Sequence, residues 1–136
     1  MPEICTLVLT PGQAVDESLY EFMKGKKWKR GVILAGIGAV DQVCLTTPTA
    51  PEIPGQAPGI RLTQVEEPCE VVSFTGEIIH VDRVKESLKR LIRLDSEYLI
   101  HVHASVAYGG GEVAGGGFRT ARGFGGMNIY MMETEL

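Results

Sequence analysis

A run of alternating side chains over residues 97–107 constrains the fold of this chain most strongly. Successive residues of a β-strand point to opposite faces, so a period of two is typical of a strand in a sheet. Gly109, Gly110 and Gly111 follow and predict a hairpin turn, because glycine accepts the backbone angles of tight turns. One predicted face carries Tyr98, Ile100, Val102, Ala104 and Val106, and the other carries Leu99, His101, His103, Ser105 and Ala107.

Similar strand-like runs recur along the rest of the chain, and two helices are predicted between them. The first helix is expected to start at Thr10-Pro11, with Gln13 completing a capping box, and to end at Gly25. The second is expected over residues 82–94, with Asp82 as its N-cap. Each helix has a predicted apolar stripe, which comprises Val15, Leu19, Phe22 and Met23 in the first and Val84, Leu88, Leu91 and Ile92 in the second. The predicted strands are residues 3–9, 31–40, 41–47, 60–65, 69–75, 97–107, 112–118 and 126–133. This order predicts an α+β fold in which a mixed, mostly antiparallel sheet packs with two main helices.

The length of 136 residues is typical of one domain, and we expect residues 1–136 to form it. No apolar run is long enough to span a bilayer, and the first nine residues predict a strand rather than a secretion signal. The three cysteines form no C-x-x-C pair, which favours buried free thiols. A cytoplasmic protein without membrane contact is the simplest interpretation.

His101 and His103 are the candidate metal ligands. They share one face of the predicted strand, with their Cα atoms about 6.5–7 Å apart, so both rings can converge on one ion. A catalytic zinc takes about three protein ligands, so a third is needed. His80 or Glu112 supplies it only if the fold brings one of them alongside. The alternative is a pair of polar residues on the wetter face of a strand.

A basic cluster after the first helix is the candidate nucleic-acid contact. Lysines and arginines can bind phosphates, and a tryptophan can stack on bases. Against this hypothesis, the chain carries a net charge of −4, whereas nucleic-acid-binding domains are typically basic. The alternative is a solvated loop, although a homo-oligomer would repeat the cluster. The cluster comprises Lys26, Lys27, Trp28, Lys29 and Arg30.

Three segments in order carry a resemblance to a known family. They are Gly36-Ile37-Gly38-Ala39-Val40, the run from Glu70 to Gly76, and the segment from His101 to Gly116. Together they resemble the PPC domain, the plants-and-prokaryotes-conserved domain, over most of the chain. This resemblance implies a sheet packed with helices and an obligate homotrimer. Stand-alone prokaryotic members are commonly named as DNA-binding proteins, but the Arg-Gly-Arg-Pro hook of plant members is absent from this sequence.

The resemblance also implies a metal site with three histidines. Two of its positions match His101 and His103, and the third falls on Gly117, which has no side chain to bind a metal. We therefore expect a homotrimeric, non-enzymatic binding or regulatory module, associated with DNA. The alternative is a small metal-dependent enzyme or small-molecule binder that uses His101 and His103, with zinc or a similar divalent ion as the candidate cofactor. A third alternative is a trimer whose metal site has decayed into plain packing.

Overall fold

Six antiparallel strands and one α-helix dominate the part of the chain that the computed structural model describes, residues 3–93 and 95–134. The predicted antiparallel sheet is confirmed, but the fold is richer in strand than an arrangement with two main helices. No helix within these residues is both long and apolar enough to cross a membrane. The elements are β1 (Ile4–Leu9), α1 (Val15–Lys26), β2 (Arg30–Thr49), β3 (Gly59–Val65), β4 (Cys69–His80), β5 (Tyr98–Tyr108) and β6 (Glu112–Glu133), with 3₁₀ turns at Val81–Arg83 and Glu86–Leu91.

The sheet has the strand order β1-β6-β5-β4-β2-β3, and β6 pairs in addition with β2. This extra pairing closes the four strands β2, β4, β5 and β6 into a ring, because each of them pairs with the next. β1 and β3 remain outside the ring as edge strands. The interior of the ring and the space under α1 form one apolar core, which contains Leu9, Val15, Leu19, Ile33, Phe74, Val102 and Ile129 among others.

Two long strands replace the shorter ones that were predicted. The sequence pattern also predicts a tight turn between the strands 31–40 and 41–47. This prediction is wrong, because β2 continues through both as one strand of 20 residues. β6 likewise joins the predicted strands 112–118 and 126–133 into one strand of 22 residues. At Gly38 (φ +144°) a Cβ atom would overlap the carbonyl oxygen of Gly126 and lie 2.6 Å from the Cα of Met127. This glycine therefore allows close approach of two strands rather than a turn.

The second predicted helix, over residues 82–94, is wrong. Two 3₁₀ turns take its place, and Val84 and Lys85 between them have extended backbone. An isolated helix this short is marginal unless an apolar stripe is buried. Here Val84 alone of the predicted stripe is fully buried, against Ile79 and Leu99, whereas Leu91 is 44% exposed. Leu94, the last residue of the predicted helix, lies outside the described residues.

The first predicted helix exists but starts and ends later than expected. It begins at Val15, after a turn in which the backbone N–H of Thr10 donates to Oε1 of Gln13 at 2.7 Å. It ends at Lys26 and not at Gly25, and the residue that caps it, Lys27, adopts the left-handed conformation (φ 57°). The predicted apolar stripe is confirmed, with Val15, Leu19 and Met23 fully buried where α1 packs on β1 and β6.

Gly76 provides a test of the close approach between β4 and β5. Its φ is +152°, and a Cβ atom would overlap the carbonyl oxygen of His101 and lie 2.7 Å from the Cα of Val102. We expect Gly76→Ala to lower the free energy of unfolding by about 3 kcal/mol, because backbone rather than a flexible side chain must move. Chemical denaturation measures this change.

Gly25→Ala is the matched control for the Gly76 variant. Among the residues that the structure describes, none outside the adjoining helix backbone has an atom within 4 Å of a Cβ built at Gly25, which belongs to α1. Alanine has the higher helix propensity, so this variant should be more stable by about 0.5–1 kcal/mol. Equal stability of the Gly76→Ala and Gly25→Ala variants would contradict the close strand approach.

Candidate functional site

A cavity of about 550 Å³ opens where β2, β5 and β6 meet. Most of its lining residues belong to these strands, and its rim includes Leu91 at the end of the second 3₁₀ turn and Arg93 just after it. The size lies within the range of roughly 300–1,000 Å³ that is typical of small-molecule sites. The lining residues are Thr46, Thr47, Pro48, Ile60, Leu91, Arg93, Ile100, His101, Val102, His103, Gly116, Gly117, Phe118 and Arg119.

The structure places both candidate metal ligands in this cavity. On β5 the alternation predicted from the sequence is confirmed for Val102, Ala104 and Val106, which are buried. His101 is half-buried and His103 is exposed. Their ring centroids are 5.4 Å apart, with the rings nearly perpendicular at 83°. The two imidazoles therefore share one wall of the cavity.

Neither predicted third ligand reaches the histidine pair. His80 pairs with Tyr98 at the start of β5, and its Nδ1 lies 2.8 Å from the carboxylate of Asp82. Glu112 pairs with Tyr108 at the hairpin end of β6, away from His103. Asp82 has a second partner as well, because Nζ of Lys29 donates to its Oδ2 at 3.1 Å. Lys29 and His80 together hold the pKa of the Asp82 carboxyl below its usual value.

Gly117 is the strand neighbour that faces the histidine pair. It pairs with His103 on one side and with Thr46 on the other. Within residues 3–93 and 95–134, no group of three His, Cys, Asp or Glu side chains is arranged to hold a metal ion. The residues present thus do not fit a three-histidine metal centre.

An ion pair that the sequence does not predict supports the rim of the cavity. Nη1 of Arg93 donates to Oδ2 of Asp16 at 2.7 Å, and Nη2 of Arg93 donates to the carbonyl oxygen of Arg119. Asp16 is a buried residue of α1, and its Oδ1 also accepts from Thr120 at 2.9 Å. Since 77 positions separate Asp16 from Arg93, no sequence spacing could have indicated the pair.

The basic cluster is only partly available to a ligand. Trp28 is 8% exposed, and its ring packs edge-on against Phe22, so its prediction as a stacking surface for bases is wrong. After α1 the chain turns at Lys27, and this turn places the Trp28 indole in the same apolar core as the buried residues of the helix. The other four positions do reach the surface, although two of them are paired.

Lys29 pairs with Asp82, and Arg30 pairs with Glu77 at 3.4 Å. Lys26 and Lys27 are exposed, as is Lys24 one turn earlier in α1. These three lysines form the accessible basic surface at the C-terminal end of the helix.

The fold and the cavity can be compared with known proteins. No curated protein matches the sequence significantly. A plant- and prokaryote-conserved (PPC) protein from Pyrococcus horikoshii aligns over 100% of this chain and 83% of its own, with a TM-score of 0.72 and 18% identity. A metal-containing protein from Archaeoglobus fulgidus aligns over 96% and 79%, with a TM-score of 0.67 and 21% identity. A third structure, from Bacteroides thetaiotaomicron, bears the name "putative dna binding protein" and aligns over 98% and 83%, with a TM-score of 0.68 and 18% identity.

These similarities define a class of small antiparallel-sheet protein whose long strands close on one another. The family model of the Plants and Prokaryotes Conserved (PCC) domain, the domain called PPC above, matches residues 2–135. The chain therefore belongs to this family, as the sequence resemblance indicated. At identities of 17–21%, the structural similarities establish the fold alone.

The role of position 117 can be tested by substituting a histidine, which would supply a third imidazole beside the histidine pair. A Cβ atom at Gly117 would lie 3.0 Å from Oγ1 of Thr46, so the variant Gly117→His should be combined with Thr46→Ala. The new imidazole would face His103 across the β5–β6 ladder. Because three imidazoles satisfy a zinc ion far better than two, we expect the double variant to bind Zn²⁺ at least ten-fold more tightly than the unchanged chain. Isothermal titration calorimetry measures the affinity.

Gly125→His is the control for nonspecific metal binding by an added histidine. A Cβ at Gly125 meets only Ala39, at an ordinary 3.6 Å, and Gly125 lies on the part of β6 that is remote from His103. Equal Zn²⁺ affinity in the Gly125→His variant and the Gly117→His/Thr46→Ala double variant would show that position 117 is not aligned with the histidine pair.

Proposed function

We propose that this protein is a homotrimeric, non-enzymatic binding or regulatory module. The observation that carries the proposal is an uncharged apolar face on the sheet formed by β1, β6 and β2. We call it the outer face, because it lies on the side of these strands opposite α1. A chain in which 22% of residues are charged would rarely leave such a face to water without a use.

The strand register defines the outer face as three rows of cross-strand neighbours. Ile4, Val8 and Ile37 are its most exposed apolar members, at 63%, 62% and 62%. β1 is also an edge strand, so its backbone groups on one side have no sheet partner. The rows are Ile4–Met132–Val32, Thr6–Tyr130–Ala35 and Val8–Asn128–Ile37.

Self-association explains the composition of this face. Burying apolar surface contributes roughly 25 cal/mol per Å², and the three rows contain no charged side chain that would have to be desolvated. The neighbouring Glu77 of β4, which pairs with Val32, forms an ion pair with Arg30. The number of three subunits comes from the resemblance to the PPC domain. A closed ring of three copies uses head-to-tail contacts, so the outer face of one subunit would contact a different surface of the next.

A charged residue in the outer face should break the assembly. We expect Ile37→Glu to convert the trimer into monomers, because an unpaired carboxylate would be buried at each contact. Ile37 is 62% exposed within one subunit, so the fold of the isolated chain should tolerate the change. Light scattering coupled to size-exclusion chromatography measures the mass in solution.

Val113→Glu is the matched control for the assembly test. Val113 is equally exposed, at 62%, but lies beside the β5–β6 hairpin turn and outside the outer face. The control should remain trimeric. A trimer that survives Ile37→Glu unchanged would overturn the assignment of this face to the subunit contact.

Association with DNA is the activity that we propose for the assembled module. Its support is the family relationship to proteins that carry DNA-binding names and the exposed Lys24, Lys26 and Lys27. One such group is weak, but a trimer would present it three times. The net charge of −4 per chain disfavours broad, nonspecific contact and favours contact confined to these lysines.

The salt dependence of duplex DNA binding tests this activity. We expect affinity to fall with salt, and the double variant Lys26→Gln/Lys27→Gln to reduce the slope of log K against log salt by about 0.9 for each phosphate that the protein no longer neutralises. Fluorescence anisotropy with a labelled duplex measures both. The control is Lys85→Gln/Lys89→Gln, which removes the same charge from the 3₁₀ segment. Binding that is absent, or that does not vary with salt, would contradict DNA association.

A small-molecule binder that uses His101 and His103 is the second candidate. The observation that favours it is the cavity of about 550 Å³ that both histidines line. Binding there does not require an enzymatic step, so this candidate is compatible with a regulatory module that responds to a ligand.

A further inference from the structure

The ionisable side chains that line the cavity at the histidine pair are all basic. The chain contains 17 acidic and 13 basic residues, yet among the residues that the structure describes no Asp or Glu lines this cavity. Its ionisable lining groups are Arg93, Arg119, His101 and His103. Such segregation focuses positive potential in a concave, partly apolar space, which attracts anions.

The four lining groups and two threonines supply hydrogen-bond donors to the cavity. Arg119 forms no ion pair with the residues that the structure describes, so its guanidinium keeps its full donor fork. Arg93 uses one N–H toward Asp16 and one toward the carbonyl of Arg119, and three of its five N–H groups remain. The planar fork of arginine matches carboxylate and phosphate groups in two-point contact.

Two carboxylates pair with basic groups beside the cavity, but neither lines it. Asp16 compensates the charge of Arg93 through their 2.7 Å ion pair and also accepts from Thr120, so among the described residues Arg119 is the lining arginine whose charge is not paired. The same ion pair holds the Arg93 side chain in place. Glu77 is the cross-strand neighbour of His101, but its carboxylate pairs with Arg30 and does not line the cavity.

The remaining walls are apolar. Ile60 and Leu91 stand at the mouth, 74% and 44% exposed, and Ile100 and Phe118 lie deeper. Gly116 and Gly117 leave the wall on β6 without bulky side chains. A purely inorganic anion would use the arginines but leave these apolar walls in contact with water.

We propose that this cavity binds a small organic anion, in which a carboxylate or phosphate group is joined to an apolar body. Arg119 and Arg93 contact the anionic group, the histidines and Thr46 or Thr47 add hydrogen bonds, and the apolar walls cover the rest of the ligand. The proposal rests on the second candidate function, small-molecule binding at the histidine pair, and adds the chemical class of the ligand.

The test uses four small probes with the full-length chain. Phenyl phosphate and benzoate are organic anions, benzyl alcohol is a neutral analogue, and inorganic phosphate lacks the apolar body. Backbone amide shifts in two-dimensional NMR report the site and the affinity of each probe. We expect both organic anions to shift amides of β5 and β6 around His103 and Gly117, and to bind at least ten-fold more tightly than benzyl alcohol. The stronger of the two anions indicates which acidic group the natural ligand carries.

Two pairs of variants distinguish an effect of altered charge on binding from an effect of a disrupted fold. Arg119→Gln should weaken the binding of both organic anions at least ten-fold, because it removes the guanidinium. The backbone carbonyl that Arg93 contacts is retained, so the rim of the cavity should keep its structure. Arg83→Gln, a change of the same kind outside the cavity, should leave binding unchanged. Leu91→Glu should also weaken binding, because it places a like charge at an exposed position of the rim, whereas Leu91→Gln should not.

Three results would overturn the proposal. Equal binding of benzyl alcohol and the anions would reject the ligand class but retain a small-molecule site. Arg119→Gln matching Arg83→Gln would reject the assigned contact. Absence of amide shifts in the cavity with all four probes at 10 mM, about the weak limit for fragment-sized ligands, would reject small-molecule binding itself while leaving the trimer and DNA tests unaffected.

Discussion

The pairing of β2 with β6 is the constraint on which the rest of the structure depends. The two strands run antiparallel from Gly31–Glu133 to Thr46–Gly117, with several register shifts that bend them. Because β2 also pairs with β4, and β6 with β5, this ladder turns an open sheet into a closed ring. Close backbone approach at glycine positions makes it possible, and Gly38 against Gly126 is the tightest point along β2.

The same ladder positions the cavity. Gly117 pairs with both Thr46 and His103, so it marks the place where the ring passes from the β2–β6 pair to the β5–β6 pair. Side chains from three strands converge there, and the Asp16–Arg93 ion pair fastens the rim to α1 and β6. A site built on strands has well-defined positions, whereas the rim, which follows two short 3₁₀ turns, is the part more able to adapt to a ligand.

Local patterns in the sequence predicted the parts of the fold that depend on local physics. The alternation in β5 correctly indicated that Val102, Ala104 and Val106 are buried, but Leu99, assigned to the opposite face, is buried as well. The stripe Val15–Leu19–Met23 correctly indicated the buried face of α1. Ordered motifs indicated the family and thereby the sheet. The glycines of β2 were misinterpreted as a turn, because a strand that needs glycine for close approach has the same local pattern as a turn. The prediction of a second helix was wrong because Val84 and Leu88 pack only against a small cluster that is separate from the main core.

The site was less predictable, because its contacts join distant parts of the chain. The spacing of the two histidines predicted only that their rings lie on one face of a strand, and they do. Asp16, Arg93 and Arg119 come together only in the folded chain. Trp28 was assigned to the surface from its basic neighbours, yet the core takes the indole and the lysines remain outside. The uncharged outer face could not be found from the sequence either, since it combines alternate residues of three strands whose register is set by tertiary pairing.

We propose that the outer face of β1, β6 and β2 holds three subunits together. Sedimentation equilibrium of the unchanged chain over a wide concentration range measures its mass in solution independently of shape. We expect a single species of three times the 14.7 kDa chain mass, stable on dilution and in high salt because the proposed contact is apolar. A species of 14.7 kDa at every concentration would contradict it.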